Sequence, residues 1–154
     1  MIEITNKHIK NGKLDKDALA ALGVDVVEFE GDKITFKTNV EFWRCDSLIL
    51  LEGVTFNGNV EFRDCDSLAS VDGAVFNSDV EFNKCYLLAS IDGATFNGNV
   101  KFWWCDSLTS VSGATFNGNV EFRDCDSLVS VSGATFKRGF EAYDCPNLKQ
   151  EEIK

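Results

Sequence analysis

Proline, histidine and long apolar runs are scarce in this sequence, and each shortage excludes something. Proline occurs once in 154 residues, at Pro146, while 44% of the chain is apolar. That composition fits neither a disordered nor a low-complexity chain, and the length fits one domain. Histidine also occurs once, at His8. A serine or cysteine nucleophile needs a positioned base, and this imidazole lies outside the patterned region, so no catalytic residues are expected and the chain is read as a non-enzyme. No window approaches about 18 consecutive apolar residues, and Met1 to Lys10 lacks the apolar core of an export signal. A soluble, cytoplasmic chain is expected. Positive charge is short as well: 15 Lys and Arg against 25 Asp and Glu give a net charge of -10. Phosphate backbones and anionic membranes would repel such a chain, so neither direct nucleic-acid binding nor membrane binding is expected.

What is present is a repeat. Cys45, Cys65, Cys85, Cys105, Cys125 and Cys145 recur every 20 residues, and Phe56 to Leu68 is identical to Phe116 to Leu128. A 20-residue coil cannot bury its apolar side alone, so a strict register predicts near-identical coils stacked on one another. In one coil the inward positions are Val60, Phe62, Cys65, Leu68, Val71, Ala74 and Phe76. A step of two puts Val60 and Phe62 on one side of a strand with Glu61 facing out. Ala74 to Phe76 reads as a second short extended run, and the steps of three between them suit a chain turning around a narrow core. Gly53 and its equivalents, Gly58, Gly98 and Gly118, and the Asp-Ser pairs at 46, 66, 106 and 126 supply turn chemistry; the glycines are expected where a corner needs positive φ.

The pattern V-x-F-x-x-C-x-x-L-x-x-V resembles the leucine-rich-repeat core L-x-L-x-x-[N/C]-x-x-L-x-x-L, and CDSL followed by S-V is similar to short bacterial and phage repeats of that family. The resemblance covers about Val40 to Leu148. It implies a right-handed solenoid with one parallel sheet of V-x-F strands, a partner bound on that face, and no catalytic residues. Phe and Val replace most leucines, no helix-length convex segment is present, and Asn57 stands where a leucine would fall, which argues against strong curvature. The alternative is a right-handed parallel β-helix of the pentapeptide type, since 20 residues also make four faces of five. The steps of three from Leu68 to Ala74 rank it second.

Residues 1–35 read as an N-terminal cap, with a short helix marked by Leu14, Ala18 and Leu22 and an edge strand at Val27 to Phe29. Residues 36–148 carry five full repeats and a partial sixth, and 149–154 is a polar tail. A cap is needed because an open sheet edge invites edge-to-edge self-association.

Equal spacing puts the cysteines in one column, about 4.8 Å apart, without the paired C-x-x-C of a zinc site. A buried thiol ladder is the reading, with no metal and no cofactor. The column Glu41, Glu61, Glu81, Glu121 and Glu141, interrupted by Lys101, reads as a solvated face. Of 13 phenylalanines, eleven fill two core columns. Trp and Tyr behave differently: Trp43, Trp103, Trp104 and Tyr143 fall where other coils carry Arg63, Lys84 or Arg123, in columns marked as outward. Exposed Trp, Tyr and Arg dominate binding hot spots. The expected site is therefore a protein-binding strand face presenting Trp43, Arg44, Arg63, Lys84, Lys101, Trp103, Trp104, Arg123 and Tyr143. The alternatives are an acidic inhibitor that imitates nucleic acid against a DNA- or RNA-handling enzyme, glycan binding by the Trp strip, and surface or ice binding by the Thr column at 55, 95, 115 and 135.

Overall fold

A computed structural model describes residues 1–149. The repeat folds as a β-solenoid of stacked 20-residue coils, and each inward column expected from the steps of two and three is buried along the array. The first side of each coil is the V-x-F strand: β6 (Val40–Trp43), β8 (Val60–Arg63), β10 (Val80–Asn83), β12 (Val100–Trp103) and β14 (Val120–Arg123), ending in β16 (Glu141–Tyr143). The second extended run is a sheet strand too, in β7 (Thr55–Phe56), β9 (Val75–Phe76), β11 (Thr95–Phe96), β13 (Thr115–Phe116) and β15 (Thr135–Phe136). The expectation of a single parallel sheet is thus corrected to two sheets of seven strands each. The reason lies in the T-F pair: one residue points in and one out, and the chain has no helix there to take the backbone out of the ladder. A third side is held by isolated bridges such as Leu50 to Ser70 and Ser70 to Ser90.

Two phenylalanine columns fill the interior. Phe36, Phe56, Phe76, Phe96, Phe116 and Phe136 stack at centroid separations of 4.9–5.2 Å. Phe42 to Phe122 do the same at 4.7–5.3 Å. The columns meet edge to face at 5.9–6.4 Å, as between Phe76 and Phe82 and between Phe62 and Phe76, combining the two favoured aromatic geometries. Beside them Cys45, Cys65, Cys85, Cys105 and Cys125 each donate to a carbonyl of the preceding coil, for example Cys65 to Phe42 at 3.4 Å and Cys125 to Phe102 at 3.3 Å, while Cys145 donates to Tyr143 of its own coil. All six cysteines are free and buried, and burial pushes the Cys85 and Cys105 thiols above their ordinary pKa.

Corner chemistry divides differently from expectation. Gly53, Gly73, Gly93, Gly113 and Gly133 do adopt positive φ. Gly58, Gly98 and Gly118 do not; they are places of close approach, since a Cβ on Gly98 would lie 2.4 Å from the Ser78 carbonyl carbon. Around that corner run two side-chain ladders. Asn77 donates to Asn57, Asn97 to Asn77 and Asn117 to Asn97 at 2.8–2.9 Å. Asn39, Asn59, Asp79 and Asn99 each accept from the backbone N–H one coil on.

The N-terminal segment forms an irregular first coil. β1 (Ile2–Ile4) extends the first sheet by pairing with β6. A small hairpin, β2 (Ile9–Lys10) with β3 (Lys13–Leu14), presents the Gly12 carbonyl to Ile49 and Leu50. Helix α1 (Lys16–Ala20) is capped by the Asp15 side chain. β4 (Val27–Glu30) and β5 (Lys33–Phe36) form an antiparallel hairpin whose second strand begins the second sheet. His8 is buried in this cap, its Nδ1 accepting from the Thr5 backbone at 3.0 Å. Among the described residues no helix is long and apolar enough to cross a membrane. The polar tail lies outside the described residues apart from Lys149, whose N–H donates to Val129.

Candidate functional site

The coils place the expected residues in three outward columns: Trp43, Arg63, Trp103, Arg123 and Tyr143 at the strand ends, Arg44, Lys84 and Trp104 one residue on, and Lys101 two residues earlier. Parallel in-register pairing places Trp43 beside Arg63, Arg63 beside Asn83, Asn83 beside Trp103, Trp103 beside Arg123 and Arg123 beside Tyr143. Two residues earlier runs the column Glu41, Glu61, Glu81, Lys101, Glu121 and Glu141. Side chains at i and i+2 share a strand face, so acids reach along their own strand: Glu61 to Arg63 at 3.1 Å and Glu121 to Arg123 at 3.2 Å. Asn83 donates to Glu81 at 3.1 Å, and Tyr143 donates its hydroxyl to Glu141. That bond raises the Tyr143 phenol pKa.

The strip forms two clusters. At its N-terminal end the Arg44 guanidinium lies 4.9 Å from the Trp43 ring centroid. Three coils on, Trp103 receives Lys101 at 5.0 Å and Arg123 at 5.2 Å, while Arg123 also lies 5.1 Å from Tyr143. Trp104 meets Trp103 edge to face at 6.4 Å and receives Lys84 at 5.9 Å. Trp103 Nε1 donates to Glu121 at 3.0 Å. Arg123 Nε is buried without a hydrogen-bond partner, leaving an unused donor at the centre of the cluster. Trp43, Trp104 and Tyr143 are about two-fifths exposed. Trp103 is half-buried, since Lys101 and Arg123 cover its ring.

The column one residue past the strand ends has a backbone peculiarity that the sequence did not disclose. Arg44, Asp64, Lys84, Trp104, Asp124 and Asp144 all adopt left-handed φ of 53–59°. Asp tolerates that region, whereas for other L residues it costs about 1–2 kcal/mol, and for a bulky residue it is a true outlier. Asp serves the stack in three coils. Arg44, Lys84 and Trp104 put costlier residues there, and each contacts an aromatic ring of the strip.

Asp46, Asp66, Asp106 and Asp126 recur two residues on, and with Asp64, Asp124 and Asp144 they make this corner an acidic ridge interrupted by Arg44, Lys84, Tyr86 and Trp104. Burial, with the charges of Asp126 and Asp124, raises the Asp106 carboxyl pKa. Among the described residues no group of three or more His, Cys, Asp and Glu is arranged to hold a metal.

Sequence reasoning also missed the last coil's part in the surface. Lys137, Arg138, Gly139 and Phe140 replace the N-G-N-V of other coils, and Arg138, Gly139 and Phe140 line a groove beside Lys101. The break in the motif is the available signal, but taken alone it marks only a partial sixth repeat. Comparison with protein-family models, curated proteins and solved structures finds no match to this chain. The repeat architecture therefore rests on the coils themselves.

Proposed function

We propose that the chain is a non-enzymatic interaction module of leucine-rich-repeat-like design that binds a protein partner through the Trp/Arg strip of its first sheet. One observation carries the reading. Every Lys and Arg between Thr38 and Phe136, namely Arg44, Arg63, Lys84, Lys101 and Arg123, lies on this strip of a chain with net charge -10. Four of them cover Trp or Tyr rings. Aromatic anchors with stacked guanidinium groups are the chemistry of hot spots. The covering cations also weigh against glycan binding, because a sugar stacking on Trp43 or Trp103 would have to displace them.

The test pairs capture with stability. Trp103→Ala with Trp104→Ala should weaken partner capture by more than about tenfold, as expected of hot-spot aromatics, with little change in the melting curve. Equal losses of capture and stability would show that these rings serve the fold alone.

The acidic ridge favours a second reading, an inhibitor that occupies a basic nucleic-acid groove. Binding through the ridge would vanish in 1 M salt, where exposed charges act on one another over only about 3 Å, whereas binding through the aromatic strip would persist.

A further inference from the structure

The coils that depart furthest from the repeat lie together at the C-terminal end of the strip, and the departures enclose a groove. Its lining includes Lys101, Glu121, Phe136, Arg138, Phe140 and Glu141, and its volume is about 620 Å³. It crosses three successive coils at the strand starts, roughly 10 Å at ordinary strand spacing. The cause is local. Gly139 takes a φ of +74° at a position where Asn39, Asn59, Asp79, Asn99 and Asn119 keep ordinary φ. β16 then starts at Glu141, so Val120 has no ladder partner in the last coil. Phe136 and Phe140 are left half-buried, with centroids 5.1 Å apart.

The charges of this groove are unevenly committed. Glu121 is held by Arg123 and by the Trp103 indole, and Glu141 by the Tyr143 hydroxyl. Among the described residues neither Lys101 nor Arg138 forms an ion pair. The available charge is thus positive, beside two half-exposed rings, in an otherwise acidic molecule.

We propose that this groove is the anchoring end of the interface and takes an extended protein segment that places carboxylates next to aliphatic or aromatic side chains. The carboxylates meet Lys101 and Arg138, and the apolar side chains pack on Phe136 and Phe140. Nucleic acid fits less well, because Glu121 and Glu141 flank the cations and would repel successive phosphates. This inference rests on the interaction-module reading and names the chemistry of its partner.

The test uses the intact chain and a short fluorescein-labelled peptide of alternating Asp and Leu, with a control in which every Asp is Lys. Lys101→Glu with Arg138→Gly restores the residues that other coils carry at these positions, so folding is not at risk. Fluorescence anisotropy should show saturable binding of the acidic peptide to the wild type. It should be weakened more than about tenfold in the double variant, the scale of losing two charge contacts, and unchanged in Lys33→Ala, which removes an exposed cation outside the strip and the groove. Absence of saturable binding, equal binding by the double variant, preference for the Lys peptide, or displacement by a single-stranded oligonucleotide would each overturn the proposal. If the groove fails while Trp103→Ala with Trp104→Ala still abolishes partner capture, the interaction module stands and only the groove is lost.

Discussion

Removing one ring from the middle of the aromatic ladder separates a shape-specific stack from a merely greasy core. Phe82 is fully buried, stacked on Phe62 at 4.9 Å and Phe102 at 5.1 Å, with Phe76 and Phe96 edge-on at 5.9 and 6.4 Å. Phe→Ala in a packed core costs about 3–5 kcal/mol. Favourable ring geometry adds about 0.5–1.5 kcal/mol per aromatic pair beyond burial, which places Phe82→Ala at the upper end. At roughly 2–4 °C per kcal/mol for a chain of this size, the melting temperature should fall by about 10–15 °C. Phe136 ends its column half-buried, against Phe116 at 4.9 Å and Phe140 at 5.1 Å. It has no coil beyond it among the described residues, so Phe136→Ala should cost about 1–2 kcal/mol, the range of ordinary substitutions. Phe82→Leu keeps much of the volume and loses the stacking; it should fall between the two. Thermal and guanidinium unfolding followed by circular dichroism measures all three. Equal losses at Phe82 and Phe136, or a Phe82→Leu variant as stable as the wild type, would refute the ladder as the source of stability.

Two other expectations concern titration and reactivity. Burial lowers the His8 pKa below its ordinary value. The unfolded chain therefore binds the proton more readily, and the stability that neutral His8 contributes is present above about pH 6.5 and lost as pH falls through the folded pKa. Melting curves at descending pH should show this component in the wild type and not in His8→Asn; its persistence in the variant would assign it elsewhere. The six thiols should resist alkylation in the folded chain and all react in denaturant, since all are buried from the reagent and burial also suppresses the thiolate of Cys85 and Cys105. Cys145, the least buried at 9% exposure, should react first, and rapid labelling of Cys85 or Cys105 would contradict the thiol ladder.

The inward columns were legible because one side of every coil must be dry, and a 20-residue period repeats that requirement at Val60, Phe62, Cys65, Leu68, Val71, Ala74 and Phe76. The second sheet was less so. Two residues per coil, as in Thr55–Phe56, are too few for alternation to separate a strand from a turn, and only stacking on the next coil makes them a ladder. Left-handed φ at Arg44, Lys84 and Trp104 could not be read from residue type, because the local preference of those side chains points away from it and the stack overrides it. The Asn ladder was visible as Asn57, Asn77, Asn97 and Asn117, but its bonds link residues 20 apart and no short-range rule calls for them. Arg138 and Phe140 were hidden by the same logic: a break in the repeat looks like an ending until neighbouring coils show what it borders.

Lys101 is where a purely structural explanation can be weighed against a functional one. In-register stacking sets like charges beside each other, and cross-strand like charges are unfavourable, so a Lys between Glu81 and Glu121 would relieve the acidic column. Relief by contact would show as an ion pair. Lys101 makes none among the described residues. Glu121 is instead taken by Arg123, while Lys101 turns toward Trp103 at 5.0 Å and lines the groove closed by Phe140. The column Glu41, Glu61 and Glu81 pairs without any such interruption, so stacking does not demand one. The interruption instead falls at the strand where Trp103 and Trp104 also depart from the repeat, joining a charge change to two aromatic changes on one surface.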